Sequence, residues 1–388
     1  MRLAYRRNPL PAEQQFDAIV IGAGLAGTAT ALQLLDAEFR VAVFERGRMP
    51  RHKLCGEFLS TEVQATFERL GVIDAVMAAG AVPIRRTKLT APDGTALTAP
   101  LPGTALGLSR YRLDELLVHA VEARGGVVLQ ETPIVKVSGS PEEGFKVFSR
   151  STTYEARIVV GAYGRRDTLD RKLGRAFIED RTPLMGFKAH FVIEEGDADL
   201  DDWIELHAFE GGYCGMSHAE NRLVNVCWIT HRDTFHAAGS TPDGMIASTF
   251  TANPHLRDRF AQFRRVSKGY EAVSQITFVN KPLVEQGVFM VGDAAGMIAP
   301  LCGDGMGMAL TGAEVLADAL IPHLQGNATT RATQRRYERA WRQTYATRMQ
   351  LSRWMHRLYV RPAMASLALR LGQRIPSAAH TLIRATRG

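Results

Sequence analysis

Residues 17–45 constrain this chain more than any other stretch. They read DAIVIGAGLAGTATALQLLDAEFRVAVFE. An apolar run over 18–21 ends in Gly22-Ala23-Gly24-Leu25-Ala26-Gly27, an Ala/Leu-rich helical run follows to about Ala37, and a second apolar run over 41–44 delivers an acid, Glu45. The pattern is strand, glycine turn, helix, strand, and each part has a task in dinucleotide binding. Gly22 permits the tight exit from the strand, Gly24 lets backbone approach a pyrophosphate, and Gly27 lets the helix pack close to the sheet. The helix start at Leu25 and Ala26 turns free N–H groups and the positive end of a dipole toward phosphates. Glu45 can accept both hydroxyls of an adenosine ribose. Such a turn is a weak signal alone, but here it leaves a strand, opens a helix and is closed by an acid at the expected spacing.

The chain has 388 residues, enough for two or three substructures and a large core. No run of eighteen or more apolar residues occurs, so no membrane-spanning helix is expected. The first fifteen residues are basic without an apolar core and read as a mobile arm rather than a secretory signal. Four cysteines, Cys55, Cys214, Cys227 and Cys302, are widely spaced and form no CxxC. They argue against a disulfide scaffold or a metal site and suit a reducing cytoplasm. The net charge of +7 conceals an asymmetry: residues 327–388 hold thirteen arginines and one glutamate, +12, which leaves 7 − 12 = −5 on the remainder. A basic tail on a mildly acidic body does not make a nucleic-acid binder.

Along the chain, an Arg/Gly/Pro-rich loop follows Glu45, and Ser60 is placed to cap a helix over 61–70. Ala91-Pro92-Asp93-Gly94 predicts a hairpin between strands 85–90 and 95–98. A short strand at 106–110 precedes a helix over 112–123. Between 183 and 278 strand-like runs dominate, interrupted by one helical patch over 242–263, and this predicts a second, largely antiparallel sheet. Residues 288–291 regain the character of a buried parallel strand, and a helix starts near 305–307. From 331 the chain reads as helical: Tyr337, Trp341, Tyr345 and Met349 recur every four residues, Pro362 starts another helix and Pro376 a third.

The second glycine-rich element is Gly292-Asp293-Ala294-Ala295-Gly296, continuing through Pro300, Gly303, Gly305, Met306 and Gly307. An acid at the end of a parallel strand can accept hydroxyls of a ligand chain, and the following helix start can stabilise an anion. With this element the chain resembles the para-hydroxybenzoate hydroxylase-type flavoproteins, in particular their geranylgeranyl-reductase-like branch. The matching residues are the GAGLAG turn with Glu45, Lys53-x-Cys55-Gly56, Ser109-Arg110-x-x-Leu113-Asp114, Gly161-Ala-Tyr-Gly164 and Gly292-Asp293-Ala294-Ala295-Gly296 with Pro300. The set spans about 17–320.

The resemblance implies an α/β, overall α+β, chain: a Rossmann-like FAD-binding domain with an inserted, mostly antiparallel substrate sheet and C-terminal helices. The expected division is a mobile arm at 1–15, a discontinuous FAD-binding domain at 16–84, 104–182 and 279–325, a substrate-binding domain at 85–103 and 183–278, and basic helices at 326–388. It implies FAD as cofactor and NAD(P)H as reductant. Glu45 would bind the adenosine ribose, Arg110 would lie beside the pyrophosphate and Asp293 would hold the ribityl or pyrophosphate portion. Amides near Gly305, Met306 and Gly307 would face the flavin ring. Arg46, Lys53, Cys55, Gly56, Val135, Gly292, Pro300 and Gly303 complete the cofactor-binding set.

Two departures stand out. Tyr163 occupies a turn where the family usually has an acid, and the Trp-x-Trp-x-Ile-Pro signature of flavin halogenases is absent. The expected function is an NAD(P)H-consuming monooxygenase that hydroxylates a hydrophobic aromatic or polyketide-like molecule through a flavin C4a-hydroperoxide. The alternative is an ene-reductase of isoprenoid-like C=C bonds, and a third reading is a flavin or lipid carrier. Cys55 is either a small buried hydrophobe or a proton donor at the reacting end. Cys214 and Cys302 are expected near the flavin too, and Tyr213 and His218 are further polar candidates, with Tyr213 joining Cys55 as a catalytic candidate. The arginine-rich C-terminal helices are either a solvated face or a cap that also touches an anionic membrane or an acidic carrier protein, which would make a cytoplasmic protein peripheral at the membrane.

Overall fold

The computed structural model describes residues 15–194 and 200–375, with 377 and 381. Nearly all of the expected N-terminal arm, and the third helix expected at Pro376, lie outside the described residues.

The first sheet grows from the strand Gln15–Ile21. It runs parallel to Val41–Phe44 on one side and to Thr153–Gly161 on the other. Val127–Leu129 extends the sheet beyond Val41–Phe44, and Val288–Met290 extends it beyond Thr153–Gly161, again in parallel. Ile19, Val20 and Val43 have no exposed surface. The helix Leu25–Asp36 packs on this sheet, and strands buried on both faces read as unbroken apolar runs. The helices Leu25–Asp36 and Gly305–Leu324 pack against each other, although the sequence separates them by well over 250 positions.

The long helix Thr330–Tyr359 lies on Gly305–Leu324. Its four-residue rhythm buries Tyr337, Trp341, Tyr345 and Met349 on one face. Tyr337 Oη donates to the Met290 carbonyl at 2.6 Å, which ties the basic tail to the parallel sheet. The Trp341 ring packs closely over Gly312, where a Cβ would come within 3.0 Å of it. No described helix is long and apolar enough to cross a membrane.

The second sheet is assembled from two chain segments. Leu184–Ile193, Val224–His231, Gly212–His218 and Asp202–Phe209 are antiparallel neighbours in that order. Asp202–Phe209 then pairs in parallel with Val82–Thr90, which forms a hairpin with Ala96–Gly107. The short strand Phe58–Leu59 closes that edge.

Three local expectations change. The strands expected at 95–98 and 106–110 are one strand, Ala96–Gly107, followed directly by the helix Arg110–Ala123. Pro100, Pro102 and Gly103 mimic a break in sequence, but the outer edge of this strand is largely unpaired, and an edge tolerates proline. Ser60 does not cap the next helix, which is Val63–Arg69 with Glu62 at its N-cap; its hydroxyl donates to Asp304 Oδ1 at 3.0 Å instead. The helical patch at 242–263 is three short pieces, interrupted where Pro254 follows the capping Asn253, and Phe263 already belongs to a strand.

Candidate active site

A cleft of about 720 Å³ lies between the two sheets. One end is formed by the carboxyl ends of the parallel strands, the usual ligand position in α/β sheets. Gly22, Gly24, Leu25 and Ala26 line it. Gly22 has φ of +116°, and a Cβ there would lie 2.4 Å from the Ala162 carbonyl oxygen, so glycine is required. Gly27 sits behind the wall: its helix approaches so closely that a Cβ would meet the Gly22 carbonyl oxygen.

Two cations stand over Gly24. Arg110 Nη2 and Lys53 Nζ are 3.6 and 3.7 Å from where a Cβ of Gly24 would be. Asp114, fully buried, aims both. It takes Lys53 Nζ at 2.6 Å and the Arg110 Nε and Nη2 at 2.9 Å each. Burial works to raise the Asp114 carboxyl, but Arg110 and Lys53 outweigh it and hold it below the usual carboxylate range. Burial pushes the Lys53 ammonium down, with Asp114 opposing. Two fixed cations and a helix N-terminus around one glycine supply the chemistry that a diphosphate would need.

Glu45 lines the cleft at the end of its strand and accepts from the Ala23 N–H at 3.2 Å, the Gly47 N–H at 3.0 Å and Arg51 at 3.2 Å. Arg51 was not anticipated from sequence. Arg46 lies on the rim, paired with Asp167 at 2.9 Å. Gly292 and Asp293 form part of the wall, and the Asp293 carbonyl accepts from Lys281 at 2.8 Å. Burial raises the Asp293 carboxyl against the pull of Lys281, Arg110 and Arg165. Gly56, Pro300, Gly303, Gly305 and Met306 line the cleft as well. Gly307 faces away, packed so tightly on Ser60 that a Cβ would lie 2.4 Å from its Oγ. Val135 stands outside the wall: its N–H bonds the Phe148 carbonyl at 2.7 Å, while Pro133 and Ile134 line the cleft beside it.

The far end of the cleft is apolar, walled by the second sheet. Tyr213 lies there, buried, with its ring near those of His356 and Tyr359, at 5.8 and 5.9 Å. Cys55 lines the middle, its Sγ accepting from the Glu57 N–H at 3.4 Å. Cys214 is not in the wall. Alternation along Gly212–His218 turns Tyr213 and Gly215 to the cleft and Cys214 into the opposite core. Cys227, which faces Gly215 across the ladder, lines the cleft in its stead, its thiol pushed up to about 12, chiefly by burial. His218 lies outside the lining, 3.4 Å from Asp201. The Cys302 side chain lies outside the described part of the structure.

Sequence reasoning missed a buried polar latch beneath Cys55. Glu57 accepts from the Lys188 ammonium, from His190 Nε2 at 2.7 Å and from the Arg110 N–H at 2.8 Å. Lys188 also reaches the Lys53 carbonyl at 3.2 Å, and Asn225 donates to the Cys55 carbonyl at 3.1 Å. The loop carrying Lys53, Cys55 and Gly56 is thus bolted to the second sheet. The only signal in sequence was charged residues inside strand-like runs: Lys188 and His190 alternate with Phe187, Ala189 and Phe191. A second buried group explains the departure at Tyr163. Asp170, from the next helix, accepts from Tyr163 Oη at 3.0 Å and from Arg175 at 2.8 Å. Arg175 also donates to the carbonyls of Pro282 and Ala294, at 2.8 and 2.9 Å, and so props the Asp293 turn.

The residues present fit a flavin dinucleotide. Glycines whose Cβ atoms would obstruct the turn, paired cations above Gly24, Glu45 at one strand end and Asp293 at another occupy one continuous cleft. The FAD binding domain model matches residues 15–350. Similar proteins include a menaquinone reductase of Mycolicibacterium smegmatis, 25% identical over 78% of this chain and 76% of its own length. A kynurenine 3-monooxygenase of Salinispora arenicola is 26% identical over 79% of this chain and 72% of its own. Digeranylgeranylglycerophospholipid reductase 2 of Methanopyrus kandleri is 24% identical over 85% and 83%. The solved structure of the flavin-dependent brominase Bmp2 superposes with a TM-score of 0.78 at 16% identity, covering 96% of this chain and 93% of that one. At that identity it speaks for the fold alone. The chain therefore belongs to the FAD binding domain family, and it is an FAD-dependent oxidoreductase.

Proposed function

We propose that the protein is an NAD(P)H-consuming monooxygenase that hydroxylates a hydrophobic aromatic or polyketide-like molecule. The observation that carries this reading is the division of the cleft into a cationic end and an apolar end, the latter walled by Ile204, Leu206, Tyr213, Ile229, Ile276 and Leu301. FAD, when bound, supplies two-electron chemistry and the activation of oxygen. The chain supplies placement. Lys53 and Arg110 hold a diphosphate, Glu45 and Asp293 accept hydroxyls, and the start of the helix Gly305–Leu324 offers backbone N–H groups to an anionic ring edge. The apolar wall excludes water, which oxygen-activating chemistry needs. Kynurenine 3-monooxygenase among the relatives is in line with this reading. The test is product mass with a lipid-like phenol, NAD(P)H and oxygen: gain of one oxygen atom with matched oxygen consumption supports it, and anaerobic gain of two hydrogen atoms overturns it.

A second reading, reduction of a C=C bond, is favoured by Cys55 in the wall and by the two reductases among the relatives. There the Cys55 thiol would supply the proton. Cys55→Ser separates the two. Under the second reading the variant keeps its flavin and loses turnover, whereas under the first it keeps hydroxylating.

A further inference from the structure

The helix Pro362–Arg374 is apolar on two faces. Ala365 and Leu369 are buried against the hairpin strands Val82–Thr90 and Ala96–Gly107. On the other side Met364, Leu367 and Leu371 are exposed, and Ile375 at the C-cap continues the row. Steps of three, four and four residues place these side chains in a stripe about 80° wide. Trp354, late in the preceding helix, is 54% exposed. Five of the eight exposed large hydrophobic side chains of the described chain fall within 354–375, on this helix and the end of the one before it. An apolar face of a helix is normally covered.

The same 22 positions carry Arg357, Arg361, Arg370 and Arg374 and no acid. Arg370 reaches Asp93 at 2.6 Å; Arg357, Arg361 and Arg374 make no ion pair among the described residues. We propose that this face docks on an anionic lipid bilayer surface. The charge argues for that occupant: an exposed apolar row flanked by uncompensated arginines suits an interface rich in acidic headgroups. A second copy of the chain would set two such basic faces against each other across a twofold axis, which repels. The inner side of this helix pair also helps build the apolar end of the cleft. Tyr359, Ala365 and Leu369 share a core cluster with Tyr213, Ile229 and Leu301. Docking therefore brings the apolar end of the cleft next to the membrane, which deepens the proposed function by making the substrate a bilayer-resident amphiphile.

The experiment is flotation of the full-length, FAD-loaded protein with phosphatidylglycerol/phosphatidylcholine vesicles, which reads binding without turnover and so stands apart from the reaction assigned above. The protein should float with these vesicles, and binding should fall by at least about tenfold on pure phosphatidylcholine and in high salt. The exposed-site variant Leu367→Glu/Leu371→Glu should lose binding by a similar factor, with flavin content and circular dichroism unchanged. Arg357→Gln/Arg374→Gln should weaken it on the acidic vesicles. Absence of binding to acidic vesicles, or binding unaltered in both variants, overturns the proposal. So does light scattering that shows a dimer that Leu367→Glu/Leu371→Glu dissociates, since the stripe is then a self-association surface.

Discussion

Glu57→Gln isolates the latch that joins the two sheets. The wild-type carboxylate, about 1% exposed, takes Lys188, His190 and the Arg110 N–H. Glutamine keeps the shape but not the charge. It leaves the Lys188 ammonium, equally buried, facing the Lys53 carbonyl at 3.2 Å without its counter-ion. Stranding one member of a buried ion pair costs about 3–5 kcal/mol. Unfolding entropy of about 2.1 cal/mol/K per residue gives roughly 0.8 kcal/mol/K for a chain of this length, so the melting temperature should drop by about 4–6 °C. The assay is a thermal melt of the FAD-loaded protein at pH 7, with flavin release followed in parallel because the loop bearing Lys53 is what the latch holds. Glu57→Gln/Lys188→Met removes the stranded charge and should recover at least half of the loss. The pH dependence is a further check. Burial alone would raise the Glu57 carboxyl, but Lys188 and His190 hold it below its ordinary 4.5. Its contribution is complete above that value and is lost as pH falls through the depressed one, so wild type and Glu57→Gln should converge in acid. A single variant within about 1 °C of wild type, or a double variant no better than the single, would refute the reasoning.

Gly22→Ala should yield protein that does not retain flavin, because the added methyl meets the Ala162 carbonyl oxygen in a left-handed backbone; the measurement is the flavin-to-protein absorbance ratio. Arg110→Met removes one of two cations over Gly24 and leaves Asp114 to Lys53 alone, so FAD should bind about 10²-fold more weakly by titration, a loss of about 2.7 kcal/mol. Lys281 is pushed down to about 8, chiefly by burial, from an ordinary 10.5. The folded chain sheds that proton first, so stability gains with pH between those values, and Lys281→Met should abolish this gain in melts across that range.

Much of the cofactor end was legible because its physics is local. The turn at 22–27 needs glycines wherever it occurs, and Glu45 and Asp293 each close a recognisable apolar run. Arg110 entered through resemblance, and what aims it is Asp114 one helical turn on. The substrate end was less legible because its physics is a matter of register. Whether Cys214 or Cys227 faces the cleft depends on alternation along two paired strands, and one residue of slip exchanges them. Glu57 could not be matched to Lys188 and His190 from sequence, since more than 130 positions separate them and nothing local requires the pairing. Ser60 misled for a similar reason: a hydroxyl before an apolar run looks like a cap, but Asp304, 244 residues away, competes for it successfully.

The parallel sheet also sets a schedule for the cell. Glu45 and Gly305 line the same cleft from positions 305 − 45 = 260 residues apart. A ribosome adding roughly 5–20 residues per second takes about 13–52 s to cover that interval. Until the end of that interval the first glycine turn exists without the helix Gly305–Leu324, which packs on the helix Leu25–Asp36, so the nascent chain has no complete cleft. The cofactor can be captured only after the helix Gly305–Leu324 has emerged, and until then the apolar face of the second sheet has no flavin to close it. Flavin supply after that helix has emerged, rather than before it, should therefore govern how much of the newly made chain reaches its folded form.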